Sequence, residues 1–198
     1  MILIDTHAHL YYDSMHDRLD DVIGDAAENH VHKIICIGTD VVSSKQSVDI
    51  ANKYEGVYAA VGVHPHDLND VDNNYIKELE HLVSYSKKVV AIGEIGIDHY
   101  RNLSPADIQR KVMIEQMELA QSLNLPIIFH NRDADDEILN VLKESTFHRA
   151  LSHCFSSDIA FANQLVDLNI LLSFSGNVTF KNSTNRSAVE NIGLDNFV

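Results

Sequence analysis

Short apolar runs that read as strands alternate with helical stretches from one end of the chain to the other, and this alternation restricts the available folds more than any other feature. Strand-like runs fall near Ile2 to Thr6, Lys33 to Ile37, Val57 to Val61, Val89 to Gly93, Pro126 to His130, Arg149 to His153 and Ile170 to Phe174. Between them, Leu19, Val22, Ile23 and Ala26 trace one helical stripe, and Ile114, Met117, Leu119 and Leu123 another. Ser104-Pro105 predicts a helix start, with serine as N-cap and proline at the first helical position. Repeated β-α units imply a parallel sheet covered by helices. An open doubly wound sheet and a closed (β/α) barrel both fit. No G-x-G-x-x-G follows the first strand, and the chemically capable residues stand at the C-terminal ends of many strands, where barrel enzymes place their sites. The expected fold is therefore α/β, a TIM-type barrel with about seven legible strands where closure requires eight.

A chain of 198 residues can bury roughly 70% of its unfolded surface as one domain. Three prolines, eight glycines and no biased segment suggest no linker, so residues 1–198 read as a single domain. Cys36 and Cys154 lie in apolar runs and suit reduced packing residues, which points to a cytoplasmic setting. No basic leader and no apolar stretch of membrane-spanning length is present, so no membrane partner is expected. Fifteen basic against twenty-nine acidic residues give a net charge of -14, which argues against a broad nucleic-acid-binding surface. An anionic substrate remains compatible if bound cations dominate the field locally.

Asp5-Thr6-His7-Ala8-His9 ends the first strand. Side chains two apart share a strand face, so His7 and His9 can address one ion, with Asp5 behind them to fix a ring tautomer. Downstream, Gly62-Val63-His64-Pro65-His66 closes the third strand and Gly93-Glu94-Ile95-Gly96-Ile97-Asp98 the fourth. His130-Asn131-Arg132-Asp133 ends the fifth and Ser152-His153-Cys154-Phe155 the sixth. A barrel would gather His7, His9, Glu94, His130 and His153 into a set larger than one tetrahedral ion needs, which points to two divalent ions. Glu94 is the natural bridge, and phosphoester hydrolysis the natural chemistry of such a pair. Of the twelve histidines, His16, His30, His32, His81 and His148 fall on predicted helices or their ends and read as solvated surface residues. Cys154, adjacent to His153 along a strand, would face away from it and pack.

The motifs D-T-H-A-H-L, G-V-H-P-H, G-E-I-G-I-D, L-P-I-I-F-H-N-R-D-A, S-H-C-F and L-S-F-S-G-N-V-T-F-K resemble, in order from Asp5 to Lys181, those of the TatD family of metal-dependent deoxyribonucleases. The resemblance implies a (β/α) barrel whose His7, His9, Glu94, His130 and His153 hold two divalent metals (Mg, Mn or Zn). It implies hydrolysis of phosphodiester bonds, with DNA attacked from an end. Arg132 would then meet a substrate phosphate through its planar fork, and His64 and His66 would line the pocket. His99 stands where the family usually carries an aromatic, and Ser156-Ser157 where a serine-glycine pair is usual. The family's eighth strand carries a glutamate-threonine-aspartate motif whose aspartate serves as general base, and no such motif occurs here. The expectation is a chain about one β-α unit short, with exposed first and seventh strand edges, weak metal binding and poor hydrolysis. Two alternatives stand beside the nuclease: an amidohydrolase acting on an amide or ester, disfavoured by Glu94 and Arg132, and an inactive metal-binding barrel remnant.

Overall fold

Among the described residues, seven parallel strands, hydrogen-bonded strictly in chain order, form one curled sheet. The computed structural model describes residues 2–69, 71–146 and 148–198; Met1, at the head of the N-terminal apolar run, lies outside them. The strands are β1 (Leu3–Ala8), β2 (Val31–Ile37), β3 (Val57–Val61), β4 (Val89–Asp98), β5 (Ile127–Arg132), β6 (Ala150–Ser152) and β7 (Leu171–Leu172). The helices are α1 (Asp13–His16), α2 (Leu19–Glu28), α3 (Val41–Lys53), α4 (Tyr75–Tyr85), α5 (Ala106–Ser122), α6 (Asp135–Glu144), α7 (Ile159–Asp167) and α8 (Arg186–Asn191). Two helix starts are specified locally by side-chain caps. Asp40 caps α3 in a reciprocal capping box with Ser43, and Asp158 caps α7 by accepting from the Phe161 amide. At α5 the N-cap position falls to Pro105, one residue later than the Ser-Pro reading places it. Ser104 instead lends its carbonyl to Gln109.

Alternation along each strand divides the apolar residues between two layers. Cys36, Ala59, Val61, Ile92, Ile127 and Phe129 join the large cluster that also holds Val48, Leu79, Met113, Ile138 and Leu165 of the helices. Ile37, Ala60, Ala91 and Ile128 form a separate small cluster on the other face, flanked by Ile35 and Leu151. This inner layer underlies the strand ends. Phe129 is fully buried at the centre of the outer layer, and truncating it to alanine costs about 3–5 kcal/mol.

The two sheet edges differ. β1 pairs only with β2, and Ile2, Leu3 and Ile4 are 72%, 44% and 54% exposed, which matches the expectation for the first strand. The outer edge of β7 is not bare: Phe197 forms a parallel bridge with Leu172, the Val198 amide donates to the Leu172 carbonyl, and the Phe174 amide donates to the Val198 carbonyl. β7 itself is shorter than the apolar run Ile170 to Phe174 suggests, because β6 offers only Leu151 and Ser152 to pair with.

Several histidine readings change. His32 lies on β2, not on a helix, though it is exposed as expected. The His148 ring nitrogen bonds the Leu142 and Ser145 carbonyls at the end of α6, a structural role in place of a solvated one. Among the described residues, no helix is long and apolar enough to cross a membrane.

Candidate metal centre

Two strand irregularities aim the principal side chains. Between the pairs Asp5–Ile34 and Ala8–Cys36, β1 advances three residues while β2 advances two. β4 does the same against β5 between Ile92–Ile127 and Ile95–Phe129. An extra residue bends a strand and re-aims its side chains, and these bulges contain His7 and Glu94. Immediately beyond, Gly96 adopts φ 138°, and a Cβ there would lie 2.0 Å from the His130 carbonyl oxygen, so only glycine lets β4 and β5 approach so closely.

Glu94 is the hub. His7 Nε2 lies 3.3 Å and His9 Nε2 3.8 Å from its Oε2, while His130 Nδ1 and His64 Nε2 lie 3.4 and 3.6 Å from Oε1. His7 and His9 bring their Nε2 atoms within 3.2 Å of each other. His9 Nδ1 donates to the Ile37 carbonyl at 2.9 Å, which leaves Nε2 as its free lone pair. His153 stacks on His7 from the opposite side. Its Cα lies just past β6, and the next residue, Cys154, turns with φ 47°. Cys154 is therefore not on a strand facing away; half-buried, its Sγ meets Ser175 Oγ at 2.8 Å. Cys36 is a fully buried free thiol, as expected.

Asp98 completes the arrangement, and the sequence reading left it out. It is fully buried, and its Oδ2 receives His66 Nε2 at 2.7 Å and His130 Nε2 at 3.0 Å, while Oδ1 accepts the Arg101 amide. The His130 ring thus stands between the Glu94 and Asp98 carboxylates. Its signal in the sequence was the acid four residues after Glu94 in G-E-I-G-I-D, at the same strand end. Asp5, by contrast, accepts the His7 backbone amide and orients no ring. Arg132 at the end of β5 lays its guanidinium 3.8 Å over the Tyr100 ring.

The electrostatics favour ligation. Burial pushes the Glu94 carboxyl upward, but hydrogen bonds from His130 and His7 and the nearby His7 and His64 rings outweigh it and hold the group well below the usual carboxylate range. Burial drives His64 and His153 down to about 3 and also lowers His9, so all three are neutral imidazoles at pH 7. Burial also works against the charged form of His130, but Glu94 and Asp98 together raise it. Neutral imidazoles beside an ionised carboxylate are the donor set that binds divalent cations.

Among the described residues, two groups bring ligand atoms close enough to share an ion: His7, His9 and Glu94, and His64, His66 and His130. The chemistry of the donor set, neutral imidazoles around an ionised carboxylate, fits a divalent metal, and His153 Nδ1 is buried without a hydrogen-bond partner among the described residues, a costly condition for a polar atom.

Comparison with known proteins gives the same picture. The TatD related DNase family model matches residues 4–198. YabD of Bacillus subtilis strain 168, a metal-dependent hydrolase, is 40% identical over 187 residues, covering 92% of this chain and 72% of YabD. The 3'-5' ssDNA/RNA exonuclease TatD of Klebsiella pneumoniae strain 342 is 32% identical over 159 residues, covering 79% of this chain and 60% of that protein. The crystal structure of YJJV, a TatD homolog from Escherichia coli K12, superposes with a TM-score of 0.95 at 28% identity, covering 99% of this chain and 77% of YJJV. With histidines and a glutamate at its strand ends and a match across nearly the whole length, the chain belongs to the TatD-related family of metal-dependent hydrolases.

Proposed function

We propose that this chain carries the catalytic centre of a nuclease that hydrolyses phosphodiester bonds of DNA from an end, with two divalent cations held by His7, His9, Glu94, His130 and His153. The observation that carries the reading is the position of Glu94, whose two oxygens face separate sets of imidazoles. One carboxylate can thereby serve two neighbouring ions. When bound, such cations supply Lewis-acid polarisation of a phosphoryl oxygen and lower the pKa of water.

The chain's own residues supply the rest. Burial keeps His9, His64 and His153 neutral, and Asp98 fixes the ring planes of His66 and His130 by accepting from both. Arg132, pre-oriented on Tyr100, offers a planar fork to a non-bridging phosphate oxygen. His64 and His66 form the wall beside it. Against a net charge of -14, these groups and the cations would concentrate positive charge at the strand ends alone. The exonuclease name of the Klebsiella relative supports a nucleic-acid substrate.

The test is cleavage of an end-labelled single-stranded oligodeoxynucleotide with added Mg or Mn, beside a panel of amides and carboxylic esters. Metal-dependent shortening from one end, lost on chelation, is expected. Turnover of an amide or ester without oligonucleotide cleavage would favour an amidohydrolase instead.

A further inference from the structure

The β3–β4 ladder ends before the site. Its last pair is Val61–Ile92, so although Gly62 still abuts Gly93, the backbone of residues 62–63 and the β3-facing backbone of the end of β4 make no further ladder pair. Buried side chains replace the ladder. Ser44 of α3 bonds both the amide and the carbonyl of Gly62, at 3.0 and 3.2 Å. On α5, Gln116 accepts from the Val63 amide at 2.7 Å and donates to the Val63 carbonyl at 3.0 Å. Gln109 accepts from the Asp98 amide at 2.8 Å and donates to the Ser104 and Asp98 carbonyls at 2.7 and 3.3 Å.

Both glutamines are fully buried. A helix that only had to adhere to this sheet would use apolar side chains on that face, as Val112, Met113 and Met117 do. Burying a primary amide is unfavourable unless every polar atom is paired, and both amides are paired to backbone. Positions 109 and 116 lie two turns apart on one helix face, about 10 Å along the axis. A rigid helix therefore fixes the separation of two points, the residue before His64 and Asp98 itself.

We propose that Gln109 and Gln116 are positioning residues: through two-point amide clamps, α5 sets the distance at which the His64–His66 segment meets Asp98 and His130. The inference rests on the reading of this cluster as the working site, but its structural part is testable without any substrate.

The experiment compares Gln109→Met and Gln116→Met, which keep length and lose every side-chain hydrogen bond, with Met113→Ala, a cavity variant on the same helix face that leaves the clamps intact. In the metal-free 198-residue protein, long-range 1H–15N spectra report the ring nitrogens of each histidine. Both glutamine variants should shift the His66 signals, and Gln109→Met the His130 signals as well. Met113→Ala should shift neither at an equal loss of thermal stability. Where the metal-loaded protein cleaves oligonucleotide, kcat should fall about tenfold to a hundredfold in the glutamine variants, with KM changed less than about twofold. If a methionine variant fails to fold, Gln109→Asn and Gln116→Asn, which keep the amide and shorten its reach, should show the same histidine shifts in milder form. Histidine spectra in the glutamine variants that match Met113→Ala at the same stability would overturn the proposal. Absence of oligonucleotide cleavage by the unmodified chain, with the histidine shifts present, would count against the nuclease reading and leave the clamps supported.

Discussion

The imidazoles of His7 and His153 lie face to face, 3.3 Å between centroids and 14° from parallel, although β2, β3, β4 and β5 stand between their strands in the sheet. Only a strongly curled sheet brings those two strand ends together. The stack also leaves His153 Nδ1 buried and, among the described residues, without a hydrogen-bond partner, a group that a bound cation would satisfy.

Divalent metal should therefore stabilise the fold. At a free metal concentration one hundredfold above the dissociation constant, linkage gives about 2.7 kcal/mol, and for a chain of this size about 5–10 °C in Tm. Differential scanning calorimetry with and without Mn or Zn checks this, with reversal by chelator. A Tm that does not move with metal would count against a structured site.

Asp98→Asn keeps the volume and hydrogen-bonding shape but cannot accept from two imidazoles as a carboxylate does. The expected loss is about 10–100-fold in metal affinity or activity, with the far-ultraviolet circular dichroism of the parent. An unchanged affinity would show that His130 does not depend on Asp98 for its orientation.

Gly96→Ala places a methyl against the His130 carbonyl in a backbone region reserved for glycine. A destabilisation of about 3 kcal/mol is expected from conformational strain and overpacking combined, measured by urea unfolding.

Acid should destabilise the metal-free protein in a defined window. His64 and His153 have folded pKa values lowered to about 3, against about 6.5 unfolded. Between these values the unfolded chain binds more protons, so stability is complete above pH 6.5 and declines as pH falls toward 3. The depressed Glu94 adds in the same sense below its ordinary value, while the raised His130 opposes, its contribution fading as pH rises above 6.5. Urea midpoints across pH 4–8 for the parent and for His64→Gln, whose slope should be shallower, decide the matter.

The sheet was legible because apolar runs such as Val31–Ile37 and Val57–Val61 alternate with helical stretches, and the gathering of His7, Glu94, His130 and His153 was legible because strand ends of a parallel barrel converge. Asp98 showed in the sequence only as a second acid at the end of the fourth strand, without its partners, and Gln109 and Gln116 gave no signal. Their roles depend on contacts across 32, 11 and 53 positions of sequence, which no local pattern encodes; a buried glutamine in a helix looks like a solvated one until the sheet is in place. The bulges at His7 and Glu94 were likewise invisible, since an extra residue shows only against its neighbouring strand.

The group of His7, His9 and Glu94 is proposed to bind a divalent metal. Isothermal titration of the metal-free 198-residue chain with Mn or Zn tests it most directly, beside Glu94→Gln and a His7→Ala/His9→Ala double variant that retain the fold by circular dichroism. Saturable binding to the parent is expected, with affinity reduced more than about 100-fold in both variants. Equal affinity in all three proteins would contradict it.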